Sequence, residues 1–122
     1  MCHGDDVGLR LPELAPAIEE QQPYHRALTP DDLAAFLKLP ETVVINTGCS
    51  LGLPPFADAF MRSGCRAYVG PTGDPEGDAS LFYALCFHYE LFCGGKSVRT
   101  AHDIASSHDA QTRMFQLYEE KT

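Results

Sequence analysis

The stretch Thr42-Val43-Val44-Ile45-Asn46-Thr47-Gly48-Cys49-Ser50 decides how this chain is interpreted. Its first half is apolar and β-branched, begins just after Pro40 and ends at a glycine-containing turn. A short apolar segment of this kind predicts a strand that is buried on both faces, as strands of parallel sheets are. The segment therefore predicts a parallel strand whose carboxyl end carries Cys49.

Helix and strand signals alternate on both sides of this strand. Thr29-Pro30-Asp31-Asp32 has a capping threonine, a proline suited to the first helical turn, and acids for the positive end of the helix dipole. Gly64 is expected to end the helix that follows the strand. The expected elements are helix 30–39, strand 42–46, helix 54–63, strand 66–70, helix 79–92, and a last helix from 98 to 118 with a break at 106–108.

This order predicts one α/β domain over residues 1–122, with an irregular N-terminal segment over residues 1–28. Two strands cannot bury both faces of a sheet by themselves. The remaining strands would lie hidden in the N-terminal segment, come from association of chains, or belong to a larger domain of which this chain is the C-terminal part. The last two explanations are favoured, and a homodimer or higher oligomer is expected.

Composition and charge exclude several classes of protein. The chain has 122 residues, 9 Lys+Arg and 17 Asp+Glu, and a formal net charge of −8. Nucleic-acid binders and proteins of anionic membranes need a basic face, so neither partner is expected. The longest apolar run is far below the ~20 residues of a membrane span, and no secretory leader is recognised. We expect a soluble, cytoplasmic protein.

The cysteine pattern excludes a disulfide framework or a zinc site. The number is odd, and neither C-x-x-C nor zinc-finger spacing occurs. The acidic loop 70–78 lacks EF-hand spacing, and its glycines match neither a P-loop nor a dinucleotide fingerprint, so no metal or cofactor is expected. Each cysteine is then a small core residue or a nucleophile. The five are Cys2, Cys49, Cys65, Cys86 and Cys93, of which the last three are expected in the core or on helix faces.

Cys49 is the candidate nucleophile, because a tight turn between a strand and a helix exposes its thiol. The free backbone N–H groups ahead of the helix are expected to favour the thiolate, and the Cys49 amide would serve as an oxyanion donor. The candidate base is His3, which is followed by Gly4 and two acids. Other histidines are less suited: His88 lies in an apolar helix, and His102 and His108 are expected to face solvent.

His3-Gly4 and Val43–Ser50 together resemble the His-Gly and strand-end Cys of caspase-like cysteine peptidases. The most similar variants are bacterial CHAT-type domains and their metacaspase and gingipain relatives. Residues 64–70 (Gly-Cys-Arg-Ala-Tyr-Val-Gly) and the junction Gly94-Gly95-Lys96-Ser97-Val98 extend the likeness. It covers residues 42–105, together with residues 2–6.

The resemblance implies a caspase-like (Rossmann-like) three-layer α-β-α fold with a short, mainly parallel sheet. It also implies peptide-bond hydrolysis through a thioester, with Cys49 as nucleophile and His3 as general acid/base. The amides of Gly4 and Cys49 would form the oxyanion hole. In this family the His need not pair with the Cys at rest and serves chiefly to protonate the leaving amine.

Acidic residues near the predicted site indicate the substrate. The expected substrate is a peptide or protein that is cleaved after Arg or Lys, because the residues near the predicted site are acidic and include no basic residue. These candidate substrate-binding residues are Asp5, Asp6, Asp74, Glu76 and Asp78.

A second interpretation stays open. The chain could be a catalytically inactive caspase-like module that acts in protein binding or assembly, with Cys49 an inert residue after a strand. In the family that the chain resembles, strands normally precede the His-Gly, and their absence here favours this alternative for the isolated chain. The His-Gly and the Cys favour the peptidase.

Overall fold

A computed structural model describes residues 3–121 and shows a mixed α/β fold with five α-helices and two three-stranded sheets. A π-helical turn (Tyr89–Cys93) continues the fourth helix, and a 3-10 turn (Thr112–Met114) precedes the last strand. No helix in this part of the chain is both long and apolar enough to cross a bilayer. The elements are β1 (His3–Gly4), β2 (Leu9–Arg10), α1 (Pro16–Glu19), β3 (Ala27–Leu28), α2 (Pro30–Phe36), β4 (Val43–Ile45), α3 (Pro54–Arg62), β5 (Ala67–Pro71), α4 (Gly77–His88), α5 (Val98–Ser106) and β6 (Phe115–Glu119).

The larger sheet has the strand order β4-β5-β6. As predicted, β4 and β5 are parallel, with Val44 opposite Tyr68. Every residue of β5 is buried, because this strand lies between the other two. The prediction that the 42–46 strand is buried on both faces is wrong: β4 is an edge strand in this sheet, and its residues are only half-buried.

The prediction that the C-terminal helix resumes and reaches Tyr118 is also wrong. The chain leaves α5 after Ser106, and residues 115–119 form β6, antiparallel to β5. Asp109 and Thr112 make this break, since each accepts a hydrogen bond from the other's backbone N–H through its side chain. Phe115 and Leu117 are buried while Gln116 is exposed, which is the period-two alternation of a strand.

Within residues 3–28, the N-terminal segment that was expected to be irregular contains three short strands and one helical turn. Its strands β1, β2 and β3 form a separate antiparallel sheet, each strand only two residues long. Such short strands leave no readable alternation in the sequence. Leu9 and Leu28 pack this segment against the buried cluster that contains Leu33 and Phe56.

Two hydrophobic clusters flank the larger sheet, and successive residues of β5 point into different ones. Tyr68 belongs to the first cluster, with Phe56 and Phe60 of α3. Val69 belongs to the second, with residues of α4, α5 and β6. Since side chains alternate across a strand, the two clusters lie on opposite faces of the sheet. The helical elements predicted at 54–63 and 79–92 are thereby confirmed, and Gly64 ends α3 with a φ of 94°.

The prediction that His102 faces solvent is wrong, because this residue is buried on α5. His108 is exposed, as expected. The Tyr83 hydroxyl and His102 Nδ1 are 2.7 Å apart and share a hydrogen bond. Burial lowers the pKa of His102, against an opposing effect of the Asp103 and Glu119 carboxylates; Arg99 adds to the lowering. Burial also raises the pKa of Tyr83, so the pair is neutral at pH 7.

We expect this neutral pair to make stability fall as pH falls below about 6.5, the ordinary pKa of histidine. The unfolded chain takes up a proton at His102 there and the folded chain does not, so stability present above that pH is lost at up to about 1.4 kcal/mol per pH unit. Urea unfolding from pH 7.5 to 5 would measure this slope. His102→Asn, which keeps a polar atom near the Nδ1 position, should reduce it.

The matched control is His108→Asn, because that histidine is exposed. It should keep the wild-type slope. Equal slopes in wild type and His102→Asn would contradict the assignment. The pKa values of the Asp5 and Asp109 carboxylates are lowered, so these groups should make stability depend on pH only in a more acidic range.

Candidate active site

The His3–Gly4 strand lies directly against the turn that carries Cys49. A methyl group built on Gly4 would lie 2.7 Å from the Cys49 carbonyl oxygen and 2.4 Å from Leu51 Cγ. A methyl group built on Gly48 would lie 3.3 Å from the Gly4 nitrogen. Only glycine at both positions permits this approach. The fold thus brings the predicted His-Gly and the predicted cysteine turn together across more than forty residues of sequence.

Buried Asn46 shapes the turn from the carboxyl end of β4. Its Oδ1 accepts a hydrogen bond from Gly48 N at 3.1 Å, and its own N–H donates to Val69 O on β5. Ser50 has a φ of 60°, which turns the chain sharply after Cys49. Sequence reasoning included Asn46 only as the end of a strand; a polar residue closing an apolar run was the available signal.

Two tyrosines of the larger sheet hold the far side of the turn. The Tyr68 hydroxyl donates to Leu51 O, and the Tyr118 hydroxyl donates to Gly52 O at 2.7 Å. Gly52 sits so close to β5 that a methyl group on it would lie 2.0 Å from Gly70 O. Neither tyrosine was predicted to serve the site. Tyr118 could not have been, because its segment was assigned to a helix.

Asp74 is the acidic residue that the structure brings to Cys49. Ser50 Oγ donates to Asp74 Oδ1 at 3.1 Å, and Ser50 N donates to Gly73 O at 2.9 Å, so the acidic loop is joined to the turn. Burial raises the pKa of the Cys49 thiol, and the Asp74 carboxylate adds to this through its negative charge and a hydrogen bond with the thiol. The sequence-based expectation of a favoured thiolate is therefore wrong.

The reason lies in where the backbone N–H groups of the turn are directed. Those of residues 50–53 donate to the carbonyl oxygens of Gly73, Gly48, Pro71 and Ser50. The helix that follows begins with Pro54-Pro55, which have no N–H to offer. The Cys49 N–H is the group that acts to lower the thiol pKa, and it does not outweigh burial and Asp74.

The other predicted site residues have separate positions. His3 is exposed on β1, opposite Arg10. Asp5 accepts hydrogen bonds from Arg10 Nε at 2.7 Å and from the Val7 and Gly8 N–H groups, and these contacts, Arg10 first, lower its pKa. Asp5 is thus engaged in its own turn, and Asp6 is exposed.

Glu76 and Asp78 line a separate cavity of about 290 Å³ at the start of α4. Sequence reasoning did not predict this cavity, since its other side comes from the segment after α5. Gln111 Oε1 there accepts a hydrogen bond from Glu76 N at 2.9 Å. The remaining lining residues are Ala79, Phe82, His108 and Asp109.

If Asp74 raises the pKa of Cys49, replacing it with asparagine should lower that pKa and give more thiolate at neutral pH. We expect Asp74→Asn to alkylate with iodoacetamide several-fold faster than wild type at pH 7, when Cys49 is followed by mass spectrometry. Cys65 provides the internal reference, because burial raises the pKa of its thiol and Asp74 does not contribute.

Asp78→Asn is the matched control, because it removes an equal charge from the first turn of α4, where the carboxylate lines a separate cavity. It should leave the alkylation rate of Cys49 unchanged. A rate that does not respond to Asp74→Asn would show that burial alone sets the pKa.

The turn offers a thiol and a carboxylate, with the His3 segment against it. Within residues 3–121, no group of three or more His, Cys, Asp or Glu residues is arranged to hold a metal ion. Comparisons with protein-family models, curated proteins and solved structures found no match to the chain. The functional argument therefore depends on the geometry of the site itself.

Proposed function

We propose that the chain is a caspase-like cysteine peptidase. The observation that carries the proposal is the contact between the His3–Gly4 strand and the Cys49 turn. Hydrophobic clusters on both faces of the larger sheet agree with a three-layer α-β-α fold of the caspase-like type. The acidic composition and the Asp74 carboxylate at the thiol support a substrate with basic residues.

In the proposed reaction, Cys49 Sγ attacks the carbonyl carbon of the scissile peptide bond. The amides of Gly4 and Cys49 stabilise the oxyanion, and His3 passes the thiol proton to the leaving amine as the C–N bond breaks. Water then hydrolyses the thioester and regenerates the thiol.

The raised pKa of Cys49 gives Asp74 a role in substrate choice. At rest burial, and after it the Asp74 carboxylate, raise the pKa of the thiol, which keeps the nucleophile weak. A Lys or Arg side chain of the substrate beside Asp74 would neutralise that charge and lower the pKa of the thiol. Basic substrates would therefore promote formation of the reactive thiolate, whereas acidic substrates would oppose it.

Two observations at the turn favour a second candidate, an inactive caspase-like module that acts in protein binding or assembly. The backbone N–H groups following Cys49 donate to protein carbonyls, and burial raises the thiol pKa. Such a module would keep the turn as a structural feature. Activity measurements distinguish the two candidates.

For the peptidase, purified protein should hydrolyse fluorogenic peptides, with a rate that rises with pH above neutrality as Cys49 ionises. Cys49→Ala should abolish hydrolysis, and His3→Ala should lower kcat by about 10²-fold or more, because general acid catalysis typically contributes that much. Cys86→Ala and His25→Ala are the matched controls and should retain activity. Wild-type hydrolysis no faster than that of Cys49→Ala would favour the inactive module.

A peptide series that differs only in the residue before the cleaved bond would test Asp74. Wild type should prefer Arg or Lys to Ala at this position. Asp should be preferred neither to the basic residues nor to Ala. Asp74→Asn should lose most of the preference for basic over neutral residues while remaining active, because the charge that discriminates is removed. Unchanged preference in Asp74→Asn, with Asp78→Asn as control, would place the specificity elsewhere.

A further inference from the structure

The outer face of α4 and of the π-helical turn is apolar and exposed. We call this surface the α4 stripe. It has no counterpart in the sequence-based expectation. Its members, with their exposed fractions, are Leu81 (59%), Phe82 (41%), Leu85 (63%), Tyr89 (64%) and Phe92 (75%).

The opposite face of the same helix is already used. Tyr83 and Phe87 are buried in the second hydrophobic cluster, and the Tyr83 ring stacks on Phe115 with centroids 4.1 Å apart. The helix is therefore apolar on both its inner and its outer face. Helices of that kind are normally covered on all sides, since an exposed apolar face of this size favours association.

The size of the stripe matches one half of a dimer interface. With about 200 Å² for each fully exposed side chain, the five exposed fractions amount to about 600 Å² of apolar surface. Two such faces together bury about 1,200 Å², which is the lower end of the range for specific, stable protein interfaces. One copy of the stripe against a second copy is thus sufficient in area.

The sequence of the helix is also complementary to itself in the antiparallel direction. Phe82 and Phe92 stand five residues before and after Phe87, and Leu85 and Tyr89 stand two before and after it. Asp78, in the first turn of α4, and Lys96, beyond the π-helical turn, stand nine residues before and after Phe87 and carry opposite charges. Both are exposed.

We propose that the α4 stripe is a homodimer interface, in which a second copy of the chain packs antiparallel with its two-fold axis on the outer face of the helix, between Leu85 and Tyr89. An anionic membrane is not favoured, because residues 77–93 include Asp78 and Glu90 but neither Lys nor Arg. The net charge of −8 on each copy opposes association at long range. At about 0.15 M salt this repulsion is screened beyond about 8 Å, and the short-range contacts dominate.

Sedimentation equilibrium in 0.15 M salt tests the interface directly. Wild type should be dimeric at tens of micromolar, and Leu85→Glu should weaken the dimer by at least tenfold, since it puts a charge at the centre of an apolar contact. Phe92→Glu should act in the same way. Circular dichroism would verify that each variant is folded, as expected for side chains this exposed.

The matched control is Ile18→Glu, because Ile18 on α1 is 50% exposed and lies outside the stripe. It should leave the dimer unchanged. A wild type that stays monomeric at several hundred micromolar, or a dimer that survives both stripe variants, would overturn the proposal.

Charge exchange tests the antiparallel arrangement. Asp78→Lys and Lys96→Asp alone should each weaken the dimer several-fold, and the double variant should restore it. Within one chain Asp78 lies in the first turn of α4 and Lys96 lies beyond the π-helical turn that follows this helix, so restoration requires contact between copies. Failure of the double variant to restore association would exclude this arrangement. Neither experiment depends on peptidase activity.

Discussion

The buried strand β5 is the element on which the rest of the structure depends. It pairs in parallel with β4 and antiparallel with β6, and its side chains enter both hydrophobic clusters in turn. Its Tyr68 also donates to Leu51 O in the cysteine turn. The strand therefore determines the position of the core and the position of the candidate nucleophile together. A change in the packing of β5 would therefore alter the position of the cysteine turn without any direct contact with Cys49.

Competition for backbone N–H groups explains why the turn does little to offset the burial and the Asp74 charge that raise the pKa of Cys49. A turn between a strand and a helix usually provides free donors that stabilise an anion. Here those same donors hold the turn close to β5 and to the acidic loop. Because they are used in this way, they do not stabilise an anion at Cys49. The proposed use of a basic substrate at Asp74 offers a way to restore reactivity only when a suitable peptide is present.

The two proposals concern different faces of the molecule. The proposed active site lies at the carboxyl end of β4, where the smaller N-terminal sheet meets the larger one through β1. The α4 stripe belongs to the outer face of the helix that begins after the acidic loop. Phe82 contributes to the stripe and also lines the cavity that contains Glu76 and Asp78. Association through the stripe would therefore alter the edge of this acidic cavity.

Local sequence signals determined the elements that have strong periodicity or clear end signals. Thr29 caps α2 as expected, and the parallel pair β4–β5 follows from two short apolar runs separated by a helix. Such signals are reliable because capping and burial depend on residues a few positions apart. The position of the cysteine in a turn after a strand could be predicted for the same reason.

Only the tertiary structure decided the features that depend on residues distant in sequence. The strand character of residues 115–119 depends on pairing with β5, and the burial of His102 depends on Tyr83 in another helix. The raised pKa of Cys49 depends first on burial and then on Asp74, which no local pattern connects to the cysteine. The composition of the chain contained the apolar residues of the α4 stripe, but which of them remain exposed was decided by how α4 packs on the sheet.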